Sequence, residues 1–570
     1  MVALRPGRRR RRELPPVPGR GDSAGPPGGG SDPVSRGQGS EVGSAGRATG
    51  DSAVADQPAS GRRDGPGGAG RGHRRTDRAG SEPGPGDGLV AAPDGRLVVQ
   101  MLAADGTIVV ARWNDGAPET IAEFSGRDHL YGLVPGELTA DGSGMWFGSY
   151  TGSDRMRLAR LDLTTGVETE VDSHPELDLD ALRRAVLQGV RQTESPLIRH
   201  RHTGELLGVR YLGERQVIHA LDPHFADVLA KVEQLSDGDL EAISTDDTGT
   251  RWVVSFTHDR DPDRTWLYDH STGASRLLFA DDPRLDPAAL APMTPVTITA
   301  RDGRALPSYL TLPVATEPTT LPLVLLVHGG PWYRDAWGFG PQTQLLANRG
   351  YAVLQVNFRG SVGYGNAHTQ AAVGEFAGAM HDDLIDAVNW AVGRGLADPE
   401  RIGIVGGSYG GYATLVAVSF TPDVFAAAVD YVGISDLVSF AKSVPPFVRR
   451  NLTNFWGRYV GDPDVPEQAA DMAARSPIHR ADRIRTPLLV VQGANDVRVV
   501  RAESDTIVAA LRDRDVEVEY LVKDDEGHGF VNPQNQIDFH RATERFLARH
   551  LGGRTDAEPA PHRSHRNDLP

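Results

Sequence analysis

The chain has 570 residues, which is long enough for two or three domains, and it contains no cysteine. Disulfide bonds, thiolate metal sites and a cysteine nucleophile are therefore excluded. The formal net charge is −16, divided into +6 over residues 1–85 and −22 over the rest, and so acidic a body argues against nucleic acid as the main partner.

Residues 1–87 are rich in Gly, Pro, Arg, Ser and Ala and contain almost no Ile, Leu or aromatic residue. Such a segment buries too little apolar surface to offset its ordering entropy, so we expect a disordered low-complexity tail. The five arginines at 8–12 are not followed by an apolar segment, so they lack the form of a secretory signal, and we expect a cytoplasmic protein. Alternatively, residues 1–87 are an out-of-frame reading of a GC-rich gene.

Residues 88–286 alternate short β-branched runs with Asp-Gly and Thr-Gly turns. Turn signals near residues 94, 141, 203 and 248 mark four units of roughly 45 to 60 residues. Units of this length with about four strands each predict an all-β propeller, apparently incomplete, with about four recognisable blades. A β-sandwich with accidental spacing is the alternative. Residues 177–186 have a helical texture and are predicted to form an insertion between units.

Residues 287–552 follow a proline-rich link and alternate apolar strands with amphipathic helices. This alternation predicts a mostly parallel sheet with helices on both faces. The longest apolar runs, such as 321–327, have strand length and fall short of the roughly 20 residues of a membrane span, so no membrane partner is expected. The polar residues 553–570 are expected to form a loose C-terminal tail.

Ser408 lies in the segment Gly-Gly-Ser-Tyr-Gly-Gly at 406–411, between a β-branched run and a good helix-forming segment. This order matches the G-x-S-x-G nucleophile elbow, in which a sharp turn between strand and helix exposes the serine hydroxyl. A serine hydroxyl becomes a good nucleophile only when a positioned histidine takes its proton, and an acid must orient that histidine.

Two residues downstream of Ser408 fit these roles. Asp496 follows the apolar strand 488–493, and His528 lies between glycines after the last strand and before the last helix. The chain order Ser408, Asp496, His528 is that of an α/β-hydrolase, so we predict this fold for residues 287–552 and these three residues as a catalytic triad. The alternatives are an aspartate that closes a surface turn and a histidine on a mobile loop.

A glycine-rich turn, His-Gly-Gly-Pro at 328–331, directly follows the apolar strand 321–327. We predict that the backbone N–H groups of Gly330 and Tyr409 form the oxyanion hole. His328 is interpreted as a residue that supports this turn and not as a second base. No metal or other cofactor is expected.

Six motifs together resemble the prolyl oligopeptidase family of serine peptidases, most closely its acylaminoacyl-peptidase and dipeptidyl-aminopeptidase branch. They are His-Gly-Gly-Pro at 328–331, Asn-Phe-Arg-Gly-Ser-Val-Gly-Tyr-Gly at 357–365, Gly-Gly-Ser-Tyr-Gly-Gly at 406–411, Ser-Pro-Ile-His at 476–479, Gln-Gly-Ala-Asn-Asp-Val-Arg-Val at 492–499 and Glu-Gly-His-Gly-Phe at 526–530. The resemblance is strong over residues 290–551 and only general over 88–285.

The resemblance implies that the propeller covers the active site and limits substrates to short peptides. It assigns the triad to Ser408, Asp496 and His528, and it matches Arg498 to an arginine that contacts a substrate carbonyl; a salt bridge to a neighbouring carboxylate is the alternative for Arg498. The family's propeller usually has about seven blades, whereas only about four units are recognisable here. The missing length is similar to that of residues 1–87, which is the reason for the out-of-frame hypothesis.

Residues 440–475 are predicted to form a cap over the active site. Its aromatic residues Phe447, Phe455 and Trp456 are candidates for an apolar substrate pocket, and ordinary packing of the cap is the alternative. We therefore expect a serine peptidase that hydrolyses short peptides through an acyl-enzyme. A carboxylesterase on the same scaffold and a propeller interaction module with an inactive hydrolase domain are the other hypotheses. A preference for acylated or free N-termini and assembly into a homo-oligomer are left open.

Overall fold

The computed structural model describes residues 88–91, 95–114, 116–181, 195–444 and 452–556. The tail predicted for residues 1–87, most of the predicted C-terminal tail and Phe447 lie outside these residues. Among the described helices, none is both long and apolar enough to cross a membrane.

Sixteen strands in the first half of the described chain form four antiparallel sheets of four strands each. Sheet 1 contains strands β1–β4, sheet 2 β5–β8, sheet 3 β9–β12 and sheet 4 β13–β16. In chain order these strands are Gly88–Ala91, Leu97–Leu102, Ile108–Asn114, Ala117–Phe124, Pro135–Leu138, Gly144–Ser149, Arg157–Asp162, Glu168–Asp172, Asp178–Leu179, Leu197–Arg199, Leu206–Leu212, Gln216–Ala220, Asp239–Thr245, Arg251–Thr257, Arg264–Asp269 and Ala274–Ala280.

Hairpin turns separate these strands where the sequence predicts them. Gly142 and Gly249 close the equivalent hairpins β5–β6 and β13–β14 with φ of 67° and 66°. These angles lie in the left-handed region, which glycine adopts without the steric cost of a Cβ. The weak repeat in the sequence therefore corresponds to a repeated strand–turn–strand unit.

Successive sheets pack against one another through their apolar faces. Val110 of sheet 1 and Phe147 of sheet 2 share one buried cluster, and Ile198 of sheet 3 and Val254 of sheet 4 share another. Helix α1, Pro223–Val232, connects sheets 3 and 4 and contributes Phe225 to the latter cluster. Each sheet thus has a buried face that its neighbour covers.

The helical insertion predicted from residue 177 is wrong at its start, because Asp178–Leu179 form β9 and pair with β11. Hydrogen bonds fix this strand: the Asp178 carboxylate accepts from the Tyr150 hydroxyl at 2.9 Å and from the backbone N–H of Gly365 at 3.1 Å. These tertiary contacts outweigh the local helical pattern. Residues 182–194 lie outside the described residues.

Eight strands of the second half form one sheet in the order β17-β18-β20-β19-β21-β22-β23-β24. The first two strands are antiparallel to their neighbours and the rest are parallel, so the predicted mostly parallel sheet is confirmed. The strands are Met293–Thr299, Ala305–Thr311, Leu321–Val327, Ala352–Val356, Ala397–Gly407, Ala427–Tyr431, Leu488–Gly493 and Val518–Lys523.

Helices cover both faces of this sheet. In β19, Leu323 and Leu325 belong to the buried cluster on one face, whereas Val324 packs on the other face with Phe546 and Leu547. A strand buried on both faces is expected to be apolar throughout. The helices are α2 Pro341–Asn348, α3 Asn366–Gln370, α4 Ala379–Gly393, α5 Tyr409–Phe420, α6 Leu437–Ser443, α7 Pro466–Ala474, α8 Arg501–Arg512 and α9 Pro533–Leu551, with short helical turns at Pro287–Ala289, Thr453–Gly457 and Pro477–Arg483.

Candidate active site

Ser408 occupies the turn between β21 and α5, where the sequence predicts a nucleophile elbow. Its backbone has φ 59° and ψ −117°, a conformation that is costly for a residue with a side chain. The surrounding hydrogen bonds hold it: the Ser408 N–H donates to the carbonyl of Tyr431 at 2.9 Å, and the Ser408 carbonyl accepts from the N–H of Tyr412 at 3.0 Å. Strain that a structure maintains in this way is typical of functional turns.

Two glycines of the motif allow the strand and the helix to approach closely. A Cβ added at Gly406 would lie 2.2 Å from the carbonyl oxygen of Gly410, and one added at Gly410 would lie 2.2 Å from that of Val327. Real Cβ atoms do not approach carbonyl oxygens so closely. Glycine is therefore required on both sides of Ser408 by the packing of β19, β21 and α5.

Asp496 lies in the turn that follows β23, with a fully buried side chain. Its Oδ1 accepts hydrogen bonds from the backbone N–H groups of Arg498 at 2.8 Å and Val499 at 2.9 Å. These bonds fix the carboxylate so that Oδ2 faces the loop after β24. The acid is therefore held by the backbone of its own turn.

His528 lies in that loop, between β24 and α9, and its side chain is 18% exposed. The buried carboxylate of Glu526 supports the loop by accepting the N–H groups of Val531 and Asn532, both at 2.9 Å. Burial opposes ionisation of Glu526, but its hydrogen bonds, including one from Asn535, outweigh burial and lower its pKa. A charged Glu526 thus holds the loop that carries the histidine.

The structure brings the three predicted triad residues together. His528 Nδ1 lies 2.8 Å from Asp496 Oδ2, and His528 Nε2 lies 3.0 Å from Ser408 Oγ. Because a carboxylate oxygen accepts hydrogen bonds, Nδ1 carries a proton and donates a hydrogen bond to Asp496. Nε2 is then free to accept the Ser408 hydroxyl proton. This arrangement can activate the serine oxygen as a nucleophile.

The two predicted oxyanion donors belong to the helix that follows Ser408 and to a turn that approaches Ser408. Tyr409 is the first residue of α5, and the first N–H groups of an α-helix have no partner within the helix. Gly330 belongs to the turn after β19, and that turn approaches the elbow: a Cβ added at Gly329 would lie 3.5 Å from Ser408 Cβ. Gly330 itself has φ 118°, a value that favours glycine.

His328 makes the contacts of a residue that supports this turn. Its Nδ1 donates to the carbonyl of Gly329 at 2.8 Å, and its Nε2 accepts from the Ser361 hydroxyl at 2.9 Å. The ring stacks on Phe358 with centroids 4.5 Å apart. Burial lowers the pKa of His328 to about 4, so the imidazole is neutral near pH 7. It does not contact Ser408 through either nitrogen.

Of the side chains predicted to bind substrate, one is exposed and two pack against other aromatic rings. Arg498 is exposed beside Asp496, and among the described residues no carboxylate pairs with it. Phe455 packs edge-on against Tyr131, in the connection between sheets 1 and 2, at 4.9 Å and against Trp332 at 5.1 Å. Trp456 packs against Phe440 of α6, with ring centroids 4.5 Å apart.

Sequence reasoning missed two residues beside Ser408, Asp430 and Tyr431, at the end of β22. The Asp430 carboxyl is fully buried, and a Cβ added at Gly411 or Gly433 would lie within 2.4 Å of its Oδ1. Burial raises the pKa of Asp430 to about 7. The sequence signal for Asp430 was an acidic residue inside an apolar strand. The residues around Asp430, however, are set by the register of the neighbouring strands.

Segments next to sheets 2 and 3 form polar contacts with the loop that follows the His-Gly-Gly-Pro turn and with α3. The buried guanidinium of Arg334 donates to the carbonyl of Gly213 at 2.7 Å, and the Asp154 carboxylate accepts from the N–H of Ala367 at 2.7 Å. A cavity of about 630 Å³ lies between sheets 3 and 4 and residues 333–341. The small sheets therefore border the same side of the molecule as the loop that contains Gly330.

An eight-stranded sheet with a serine elbow, a buried aspartate and a loop histidine in this order defines an α/β-hydrolase. Comparison with known proteins finds one family model that matches: residues 337–554 match the model of the prolyl oligopeptidase family. This match covers less than half of the chain and includes Ser408, Asp496 and His528.

Two curated relatives and one solved structure illustrate the similarity. Dipeptidyl aminopeptidase BIII of Pseudoxanthomonas mexicana is 41% identical over 461 residues, which cover 80% of this chain and 64% of the relative. The acylamino-acid-releasing enzyme of Arabidopsis thaliana is 31% identical over 219 residues, 38% of this chain and 28% of the relative. The structure of a puromycin-hydrolyzing peptidase of Mycobacterium tuberculosis aligns with a TM-score of 0.66 at 25% identity, over 82% of this chain and 70% of that one. The chain thus spans less than two thirds of the two curated relatives.

Proposed function

We propose that this protein is a serine peptidase that hydrolyses short peptides through an acyl-enzyme on Ser408. The observation that carries the proposal is the continuous line of hydrogen bonds from Ser408 Oγ through His528 to Asp496. The names of the relatives, a dipeptidyl aminopeptidase and an acylamino-acid-releasing enzyme, support a peptide substrate.

Acylation begins when Ser408 Oγ attacks the carbonyl carbon of the scissile bond and His528 Nε2 takes the hydroxyl proton. The carbonyl oxygen becomes an oxyanion, which accepts hydrogen bonds from the N–H groups of Tyr409 and Gly330. The imidazolium is stabilised by the buried carboxylate of Asp496. Ser408, Asp496, His528 and the Gly330 turn each follow the end of a strand of the large sheet.

The intermediate collapses when His528 Nε2 donates its proton to the leaving amine and the C–N bond breaks. The acyl group is now an ester of Ser408. A water molecule then adds to this ester while His528 takes a proton from the water, and the Ser408 oxygen leaves with that proton. The acid product is released and the free enzyme is restored.

We assign the four small sheets, residues 88–286, to blades of an incomplete propeller, and residues 287–552 to the catalytic domain. The sheet-to-sheet packing and the four-stranded units support this assignment. Blades attached beside the Gly330 turn restrict access to Ser408, and a restricted entrance admits short peptides more readily than folded proteins.

We assign the substrate contacts to one exposed arginine and one aromatic cluster. We assign to the guanidinium of Arg498 a hydrogen bond to a substrate carbonyl oxygen. Arg498 lies in the turn that holds Asp496, and its exposed side chain supports this assignment. Phe455 and Trp456 belong to an aromatic cluster with Trp332, which follows the His-Gly-Gly-Pro turn. We assign this cluster to the wall of the pocket for the apolar side chain beside the scissile bond.

A panel of chromogenic substrates tests the proposal. It contains free aminoacyl, dipeptidyl and acetylated aminoacyl anilides and one simple aryl ester. We expect turnover of at least one class of anilide in the parent and none in Ser408→Ala. Turnover confined to the aryl ester contradicts a peptidase and favours the carboxylesterase.

A further inference from the structure

We propose that Tyr431 is a positioning residue that fixes the loop of His528 at the correct distance from Ser408. The inference rests on the proposed function, because it concerns how the nucleophile and its base are aligned. It assigns to Tyr431 no contact with the substrate.

Tyr431 forms hydrogen bonds to both segments at once. Its backbone carbonyl accepts the N–H of Ser408 at 2.9 Å, and its hydroxyl accepts the N–H of Phe530 at 2.8 Å. Phe530 lies two residues after His528. A single residue, through its backbone and its side chain, therefore connects the backbone of the nucleophile to the loop of the base.

The position of Tyr431 in the sheet strengthens this connection. Tyr431 is the last residue of β22, and it pairs with Gly407 of β21 on one side and with Val491 of β23 on the other. These neighbouring strands lead into the turns of Ser408 and Asp496. Tyr431 thus lies between the segments that carry two triad residues, and its hydroxyl reaches the third.

The Tyr431 ring has little freedom to move. It stacks on Phe539 of α9 with centroids 4.8 Å apart and meets Phe530 edge-on at 5.2 Å. A Cβ added at Gly407 would lie 3.1 Å from a carbon of the Tyr431 ring. The hydroxyl is therefore presented to Phe530 by a ring that is packed on three sides.

The residue after Tyr431 is held in an unusual conformation. Val432 has φ 48°, which is unfavourable for a β-branched residue, and its N–H donates to the carbonyl of Val491 at 2.9 Å. This turn ends β22 directly after Tyr431. Backbone strain that persists beside an active site is a reason to look for a positioning role.

The hydroxyl of Tyr431 accepts the Phe530 N–H in its neutral form. Burial raises the pKa of Tyr431 to about 12, so the phenol keeps its proton across the neutral range. The alignment that it supports is sensitive, because a displacement of about 1 Å at a reacting group can reduce the rate about 100-fold. Loss of one anchor out of several should have a smaller effect.

The test compares Tyr431→Phe with Tyr309→Phe in the full chain. Tyr431→Phe keeps the ring and removes the acceptor for the Phe530 N–H. We expect kcat to fall by about three- to thirtyfold while KM stays within about twofold. Tyr309 is a matched control, because it is a buried tyrosine on β18 whose hydroxyl donates to the carbonyl of Glu214 at 3.1 Å, away from His528. We expect its variant to retain the parent kcat.

A second readout separates alignment from general stability. The rate at which a small fluorophosphonate modifies Ser408 should fall by the same factor as kcat in Tyr431→Phe, because this reagent uses the Ser408–His528 pair and makes few other contacts. A second variant removes the same hydrogen bond from its other end. An α-hydroxy analogue of phenylalanine at position 530 replaces the N–H by an ester oxygen and keeps the ring, so it should reproduce the effect even if Tyr431→Phe does not fold.

The outcomes distinguish this inference from the proposed function. The positioning role is wrong if the parent hydrolyses peptides but Tyr431→Phe and the ester at position 530 both keep kcat and the modification rate within about 1.5-fold of the parent. An equal fall of kcat in Tyr309→Phe also overturns it. A parent that neither hydrolyses peptides nor reacts with the fluorophosphonate overturns both the inference and the proposed function.

Discussion

His528 Nε2 lies 3.0 Å from Ser408 Oγ, although 120 residues separate the two along the chain. The distance is set by two turns at the same edge of the sheet, one after β21 and one after β24. The carboxyl ends of parallel strands meet at this edge, which explains why polar residues so far apart in sequence form one cluster. The hydrogen bond from His528 to Asp496 then determines which nitrogen faces the serine.

Asp496→Asn should reduce kcat by about 10³- to 10⁴-fold with little change in stability. The amide has nearly the same shape as the carboxylate, but it no longer requires a proton on His528 Nδ1 and cannot stabilise the imidazolium. Steady-state kinetics on an anilide substrate measures the effect. Asp505→Asn is the control, because Asp505 is an exposed residue of α8 that contacts Tyr520 and Arg501. A fall of less than about tenfold in Asp496→Asn would contradict the assigned role.

Gly410→Ala should destabilise the protein by about 1–3 kcal/mol and slow the modification of Ser408 by a fluorophosphonate. The added methyl group would lie 2.2 Å from the carbonyl oxygen of Val327, so α5 must move away from β19. Urea denaturation gives the stability change. Gly393→Ala is a matched control near the end of α4, where a Cβ meets no atom within 4 Å. Its expected effect is neutral or stabilising by up to about 1 kcal/mol. Similar effects of the two substitutions would argue against a packing requirement at the elbow.

Asp430→Asn should become more stable relative to the parent as the pH rises from about 5 to about 8. Burial raises the pKa of Asp430 to about 7, whereas an unfolded aspartate loses its proton near pH 4. Between these values the folded state binds more protons than the unfolded state, so the free energy of unfolding of the parent falls with pH by up to about 1.4 kcal/mol per pH unit. Asparagine does not titrate, so in Asp430→Asn position 430 causes no fall in the free energy of unfolding as the pH rises. Urea denaturation of both proteins at the two pH values checks the prediction, and a difference in stability that does not change with pH would refute it.

Asp383→Ala should destabilise the protein by about 3–5 kcal/mol, because it leaves the charge of Arg359 without its main partner. The fully buried Asp383 carboxylate accepts two hydrogen bonds from the Arg359 guanidinium, at 2.8 and 2.7 Å, and another from its backbone N–H at 2.9 Å. Asp382→Ala is the control, because the neighbouring Asp382 has a 42% exposed side chain and pairs with the half-exposed Arg301. The control should change the free energy of unfolding by less than about 1 kcal/mol. Equal losses of stability in Asp383→Ala and Asp382→Ala would contradict the claim that burial makes the Asp383–Arg359 pair the more important one.

The strand–turn–helix at Ser408 could be predicted because local signals agree there. A β-branched strand, glycines on both sides of the serine and a helix-forming segment specify the same turn. Asp496 and His528 could be placed at the same edge because each follows an apolar strand. The packing reasons for Gly406 and Gly410 required coordinates, since each is in contact with backbone that is distant in sequence or on the next element.

Other features depend on contacts that no local pattern encodes. The residues around Asp430 and Tyr431 are set by the register of β21, β22 and β23, which a one-dimensional pattern does not give. Asp178 lies in a sequence with helical periodicity, but hydrogen bonds from Tyr150 and Gly365 hold it in a strand. The roles of Phe455 and Trp456 remain predictions, because their contacts with other aromatic rings fit both a pocket wall and a packed cap.

The most direct test of the account is the reaction of the full chain with a fluorophosphonate, followed by peptide mapping and by an assay on a peptide anilide. We expect one adduct, on Ser408, with parallel loss of peptide hydrolysis, and neither adduct nor turnover in Ser408→Ala at an unchanged circular dichroism spectrum. Ser419→Ala should behave like the parent. Ser419 lies on α5, the helix that follows Ser408, and its hydroxyl donates to the carbonyl of Leu415. A parent that does not react, or a Ser408→Ala variant that still hydrolyses the anilide, would contradict the proposal that Ser408 is the activated nucleophile of a peptidase.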